Sequence, residues 1–191
     1  MATWDARTFT STTNRKVYAI GDVAGGLQFT HVAGYHAGVI IRSMLFGLPS
    51  KARTNHIPWA TYTEPELSQV GLTEAQAKKE HGDKVEVVRF HYHHNDRAIA
   101  ERKTKGLIKV MVVKGRPVGA SIVGYQAGEL ISLWALALAN NMKMGQIANM
   151  VAPYPTIGEV NKRAAGAYFS PRLFENPKVK AVVGLVQRLL P

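Results

Sequence analysis

The chain has 191 residues, 46% hydrophobic and 19% charged, a balance that can bury a core and excludes an intrinsically disordered polymer. No apolar run reaches the roughly 18 residues of a membrane span, and with no cysteine the chain offers neither a disulfide nor thiol chemistry of its own. Its formal charge of +11 favours acidic or phosphorylated partners. The cations, however, are scattered in small groups such as Lys78-Lys79 and Lys162-Arg163, so a solvated surface is expected and specific nucleic-acid recognition is not.

Residues 1–14 are rich in Thr and Ser and read as a flexible lead without a signal peptide, which points to the cytoplasm. Residues 17–20 are a short strand candidate ending at Gly21-Asp22. A small-residue loop follows, and helical periodicity from Phe29 to Phe46 stops at Gly47 and Pro49. Residues 51–56 are the expected linker. Three domain segments are therefore expected: 1–50, 51–175 and 176–191.

Strand candidates follow at 57–62, 69–71, 84–93, 107–113 and 118–125, the fourth and fifth joined by a turn at Lys114-Gly115-Arg116-Pro117. Thr73 is placed to cap a helix through Glu80, with Glu74 early and Lys78-Lys79 late, matching the helix dipole. The segment 127–140 is an apolar helix expected to be buried on more than one side. A short helix is expected at 144–150. Another is expected from Thr156 to Phe169, with Thr156 and Glu159 forming a capping box and Pro171 ending the pattern. An amphipathic stretch, 177–190, is expected to dock on the domain, with contact of Lys178–Leu190 to an anionic membrane surface as the lesser alternative. Strands grouped ahead of helices argue an α+β fold with a mostly antiparallel sheet flanked by helices.

Two constellations carry chemistry. The first is Gly21-Asp22 before a helix. A carboxylate at a strand end can accept hydrogen bonds from sugar-type hydroxyls, and the helix start offers unpaired N–H groups. By itself this reads more readily as an ordinary turn and cap than as a ligand site. The second is Pro153-Tyr154-Pro155-Thr156-Ile157-Gly158-Glu159. His91, His93 and His94 lie near Asp96, but a polar strand end is the expectation and no metal site is assigned.

Val17-Tyr18-Ala19-Ile20-Gly21-Asp22 together with Pro153–Glu159 resembles the C-terminal part of the FAD-dependent pyridine-nucleotide disulfide oxidoreductases, the group of dihydrolipoamide dehydrogenase, glutathione reductase and mercuric reductase. Pro58-x-x-x-Tyr62-Thr63-x-Pro65-Glu66, Val70-Gly71-Leu72-Thr73-Glu74, Arg97-Ala98 and Gly119-x-x-Ile122-Val123-Gly124-x-x-Ala127-Gly128-Glu129-Leu130-Ile131 extend the resemblance over residues 17–170.

The resemblance implies the tail of a Rossmann-like FAD domain followed by a dimerisation domain. In the intact enzyme, electrons would pass from NAD(P)H through FAD to a cysteine pair and a small-molecule or disulfide substrate. It implies a homodimer, and cofactor contacts at Gly21, Asp22, Gln28, Phe29, Thr30 and His31. Asp22 would grip the ribityl chain, and the Thr30 N–H would meet a flavin carbonyl. Without cysteine or Gly-rich fingerprints, the chain is expected to be a fragment that neither turns over nor holds FAD tightly.

The family's usual loop is His-Pro-Thr-x-x-Glu, contributed to the partner's flavin site, so Tyr154 and Glu159 become the implied catalytic positions. Tyr154 departs from the pattern. Imidazole titrates near 6.5 and phenol near about 10, so Tyr154 is a hydrogen-bond donor and a poor proton shuttle. Glu159 is either its partner or only a helix cap. Mercuric reductases resemble this chain in placing tyrosine here, but the terminal cysteine pair they carry is absent. The alternative is a stand-alone self-association domain of the same fold.

Overall fold

Residues between 59 and 124 pair into one five-stranded, wholly antiparallel sheet. The strands are β1 (Trp59–Thr61), β2 (Glu66–Gly71), β3 (Val85–His91), β4 (Leu107–Val113) and β5 (Arg116–Gly124), in the order β1-β2-β5-β4-β3. The computed structural model describes Asp5 and residues 7–11, 13, 14 and 16–189. The chain divides into two units, Met1–Ile57 and Pro58–Pro191.

In the larger unit, the two-residue alternation of β4 sends Ile108, Val110 and Val112 into the main core. There they join Val70, Ala120 and Ile122 from the neighbouring strands. The helix α4 (Ala127–Ala139) packs on β1, β2 and β5, and α6 (Glu159–Ala167) on β3 and β4. Trp134 of α4 is fully buried, and its indole N–H donates to Asn161 Oδ1 at 2.8 Å. The Asn161 amide in turn donates to the Leu130 carbonyl at 2.9 Å. Each buried polar group of this bridge thus has a partner, as an apolar surrounding demands. On the other face of β4, Met111 is fully buried, and α2 (Glu74–His81) packs against β3, β4 and β5.

Two glycines set the β2–β5 spacing. Gly71 and Gly119 are paired in register. A Cβ on Gly119 would stand 1.9 Å from the Leu72 carbonyl oxygen, and one on Gly71 would stand 2.5 Å from the Val118 carbonyl oxygen. Gly71 also has φ +64°, a conformation open to glycine at little cost.

Most expected elements form. Thr73 caps α2 in a full capping box with Gln76. Other expectations need correction. Residues 17–20 are not a strand. Tyr18 makes an isolated bridge to Thr10, and Gly21–Ala24 turns as a one-turn 3-10 helix. Pro171 does not end the helical pattern but sits in the first turn of α7 (Ser170–Phe174), where a missing N–H costs nothing. The capping box at Thr156 and Glu159 is absent. The Thr156 hydroxyl donates to the Pro153 carbonyl instead, and α6 starts without a side-chain cap. Between α4 and α6, α5 (Met144–Ala148) buries Met144 and Ile147.

The smaller unit is built on α1 (Thr30–Phe46), whose Val39 and Ile40 bury Phe9. Within the Ser/Thr-rich lead, Phe9 and Ser11 are therefore buried. Residues 1–4, 6 and 12 of that lead lie outside the described residues, as does Leu190 of the expected stretch 177–190; the last helix, α8, is Pro177–Leu189.

Candidate active site

The first constellation lies wholly in the smaller unit. Gly21 is buried, with φ +64°. A Cβ there would meet the Ala33 Cβ at 3.1 Å, so the glycine lets the 3-10 turn close on α1. The Gly21 N–H donates to Nδ1 of His36, one turn further along α1, at 3.2 Å. An accepting Nδ1 requires a neutral imidazole, and burial of His36 lowers its pKa to favour that form. The carboxylate of Asp22 and the residues Gln28, Thr30 and His31 are exposed, while Phe29 is half-buried and stacks on His31 with ring centroids 5.4 Å apart. An anchored turn, an exposed carboxylate and the exposed start of a 17-residue helix form a polar ledge with both hydrogen-bond acceptors and unpaired N–H donors.

The second constellation lies in the larger unit, on the loop before α6. Ile157 is buried in the main core, and the Tyr154–Pro155 peptide is cis. Asn95 is fully buried. Its amide N–H donates to the Thr156 carbonyl at 3.0 Å, while its Oδ1 accepts the Ala98 N–H at 2.9 Å. This one side chain caps α3 (Asp96–Ala100) and ties it to the Tyr154 loop. The next residue, Asp96, accepts the Tyr154 phenol at 2.8 Å through Oδ2. That bond and the negative charge of Asp96 raise the Tyr154 pKa, with burial and Glu159 adding in the same direction and Arg163 opposing.

Tyr154 is exposed and neutral near pH 7, and its single O–H is already engaged. It therefore presents oxygen lone pairs outward, where the sequence pointed to a donor. Glu159 is not bonded to Tyr154. Its Oε1 accepts from Arg163 Nε at 3.1 Å, and its Oε2 is buried without a hydrogen-bond partner.

Sequence reasoning missed Asp96, Asn95 and His36 as parts of these sites. Asp96 and Asn95 lie about sixty positions from the loop they hold, so no local pattern links them. His36 could have been found from helix periodicity, since it follows Val32 by four residues on the buried face. His91 and His93 stack at 5.2 Å, and among the described residues no group of three or more His, Asp or Glu is placed to hold a metal ion.

An antiparallel five-stranded sheet, with helices on it and a polar loop ahead of the last packed helix, defines an α+β domain of the flavoprotein disulfide reductase type. The chain belongs to the pyridine nucleotide-disulphide oxidoreductase family, whose dimerisation domain matches residues 57–165.

It is 34% identical over 145 residues to a dihydrolipoyl dehydrogenase of Bacillus subtilis, covering 75% of this chain and 31% of that protein. It is 35% identical over 158 residues to a mercuric reductase of Bacillus cereus, covering 82% and 25%. Among solved structures, the HOCl-induced flavoprotein disulfide reductase RclA from Escherichia coli superposes with a TM-score of 0.75 at 27% identity, covering 85% of this chain and 38% of that one. The chain thus spans about a third or less of the length of these curated relatives.

Proposed function

We propose that this chain supplies the dimerisation part, preceded by the tail of the FAD domain, of a cytoplasmic flavoprotein. That enzyme would pass electrons from NAD(P)H through FAD to a redox-active cysteine pair and on to a small-molecule or disulfide substrate. In this proposal residues 1–50 belong to the FAD domain, 51–175 to the dimerisation domain and 176–191 to a terminal appendage. The observation that carries the reading is the family match over residues 57–165, joined to a sheet of matching architecture. The absence of cysteine and the one-third coverage of relatives support a division of labour in which sequence outside these residues holds the cysteines.

FAD, when bound, supplies two-electron chemistry; this chain's own groups orient and exclude. Asp22 would accept hydrogen bonds from the ribityl hydroxyls, and Gly21 and His36 fix its turn. Gln28, Phe29, Thr30 and His31 would line the flavin ring, with backbone N–H groups at the α1 start available to it. Tyr154 reaches the partner's site as a neutral acceptor held by Asp96, so it receives a hydrogen bond from a protonated or thiol-bearing acceptor molecule and does not shuttle the proton. The buried, unpartnered Oε2 of Glu159 keeps one acceptor in reserve beside it. A homodimer is supported by the outward flank of α4, where Leu136 is 58% exposed and Leu133 half-buried.

Light scattering tests the assembly: twice the 20.9 kDa chain mass is expected at micromolar concentration, and a monomer at every concentration sinks the dimer. In the flavin-bearing full protein, Tyr154→Phe should slow turnover of the acceptor and spare flavin reduction by NAD(P)H. Unchanged acceptor turnover would make Tyr154 packing only.

A further inference from the structure

The last helix, α8, buries none of its residues. At about 100° per residue, Val179, Val182, Val183, Leu185, Val186 and Leu189 fall on one arc, and Lys180, Gln187 and Arg188 fall on the other. On the apolar arc Val182 is 60%, Leu185 57% and Leu189 73% exposed. The helix holds three cations, Lys178, Lys180 and Arg188, and no Asp or Glu. Docking on the domain, expected from the sequence, is not what forms.

We propose that α8 lies flat on an anionic lipid surface, its Val/Leu arc in the headgroup–acyl boundary and its cations on lipid phosphates. Charge selects this occupant. A second copy brings the same acid-free cationic helix, so two such faces repel. The match to the family's dimerisation domain covers residues 57–165 and stops ahead of α8. Thirteen residues rise only about 20 Å, too short to cross a bilayer but long enough to rest on one. Two more exposed apolar residues, Leu173 and Phe174 on α7, precede the helix and enlarge the apolar surface beside it. Lys178 falls within the apolar arc, where a long side chain can reach up to the phosphates.

Flotation of the whole chain with vesicles tests this. One set is phosphatidylcholine alone, and the other contains about 30% phosphatidylglycerol. The wild type should float with the anionic vesicles about tenfold more than with the neutral ones. The double variants Val182→Asp/Leu185→Asp and Lys180→Glu/Arg188→Glu should each lose about tenfold in bound fraction, and raising the salt should weaken wild-type binding. The thermal midpoint of the remaining fold should not move, since α8 buries nothing. Four results would overturn the proposal: no flotation with either vesicle, equal flotation with both, a halved mass by light scattering in the Asp variant with vesicle binding intact, or a lowered thermal midpoint in that variant, which would mean α8 packs on its own chain.

Discussion

The phenol of Tyr154 donates to Asp96 Oδ2 at 2.8 Å, joining the loop ahead of α6 to the first turn of α3 across 58 positions of sequence. The phenol's only proton is thereby committed. Replacing Asp96 with Asn removes the negative charge that opposes ionisation, so the Tyr154 pKa should fall back toward the ordinary value of about 10. The check is the 295 nm alkaline titration, taken as the difference between each protein and its Tyr154→Phe partner. A Tyr154 transition unchanged by Asp96→Asn would show that the pair does not persist in solution.

The smaller unit should loosen in mild acid. His36 is buried, its Nδ1 accepts from Gly21, and its folded pKa is lowered by burial. The unfolded chain therefore takes up a proton first, so the His36 contribution is complete above about 6.5 and is lost as the pH falls through the folded value. Hydrogen exchange at the Gly21 amide should quicken between about pH 7 and 5, and the effect should vanish in His36→Gln. A pH-independent exchange rate, after correction for intrinsic chemistry, would contradict the bond.

Gly119→Ala should destabilise the larger unit by roughly 1–3 kcal/mol or abolish its folding. The added methyl would stand 1.9 Å from the Leu72 carbonyl, a backbone group that no side-chain rotation can relieve. Urea denaturation measures this directly. As a control, Gly166→Ala, where a Cβ meets nothing within 4 Å, should be neutral or slightly stabilising by helix propensity.

Asn161→Leu should cost about 1–3 kcal/mol even though it adds apolar volume, because it strands the buried indole N–H of Trp134. Pairing it with Trp134→Phe should recover part of that loss, since both polar partners are then gone. Additive losses in the double mutant would show that the bridge carries no coupling.

Sequence alone determined the elements whose cause is local. The alternation of Leu107–Val113 imposes a strand because successive side chains must face opposite sides of a sheet. Thr73, Gln76 and the late lysines set α2 because they satisfy its orphan N–H groups and its dipole. The order of the family's motifs told the class of fold, and Asp22 and Tyr154 could be singled out because each sits in a motif of contiguous residues.

Only the tertiary structure decided what those residues do. The acceptor character of Tyr154 depends on Asp96, arriving on another helix held by Asn95. The turn at Asp22 depends on Gly21 meeting His36 after a helix has formed between them. Glu159 turned to Arg163, four residues on, because one helical turn brings them together. Pro171 began a helix because its missing N–H is harmless in a first turn. Whether the apolar arc of α8 is covered is likewise a matter of packing: amphipathicity shows that a face exists, and only the assembled neighbours show that, among the described residues, nothing buries it.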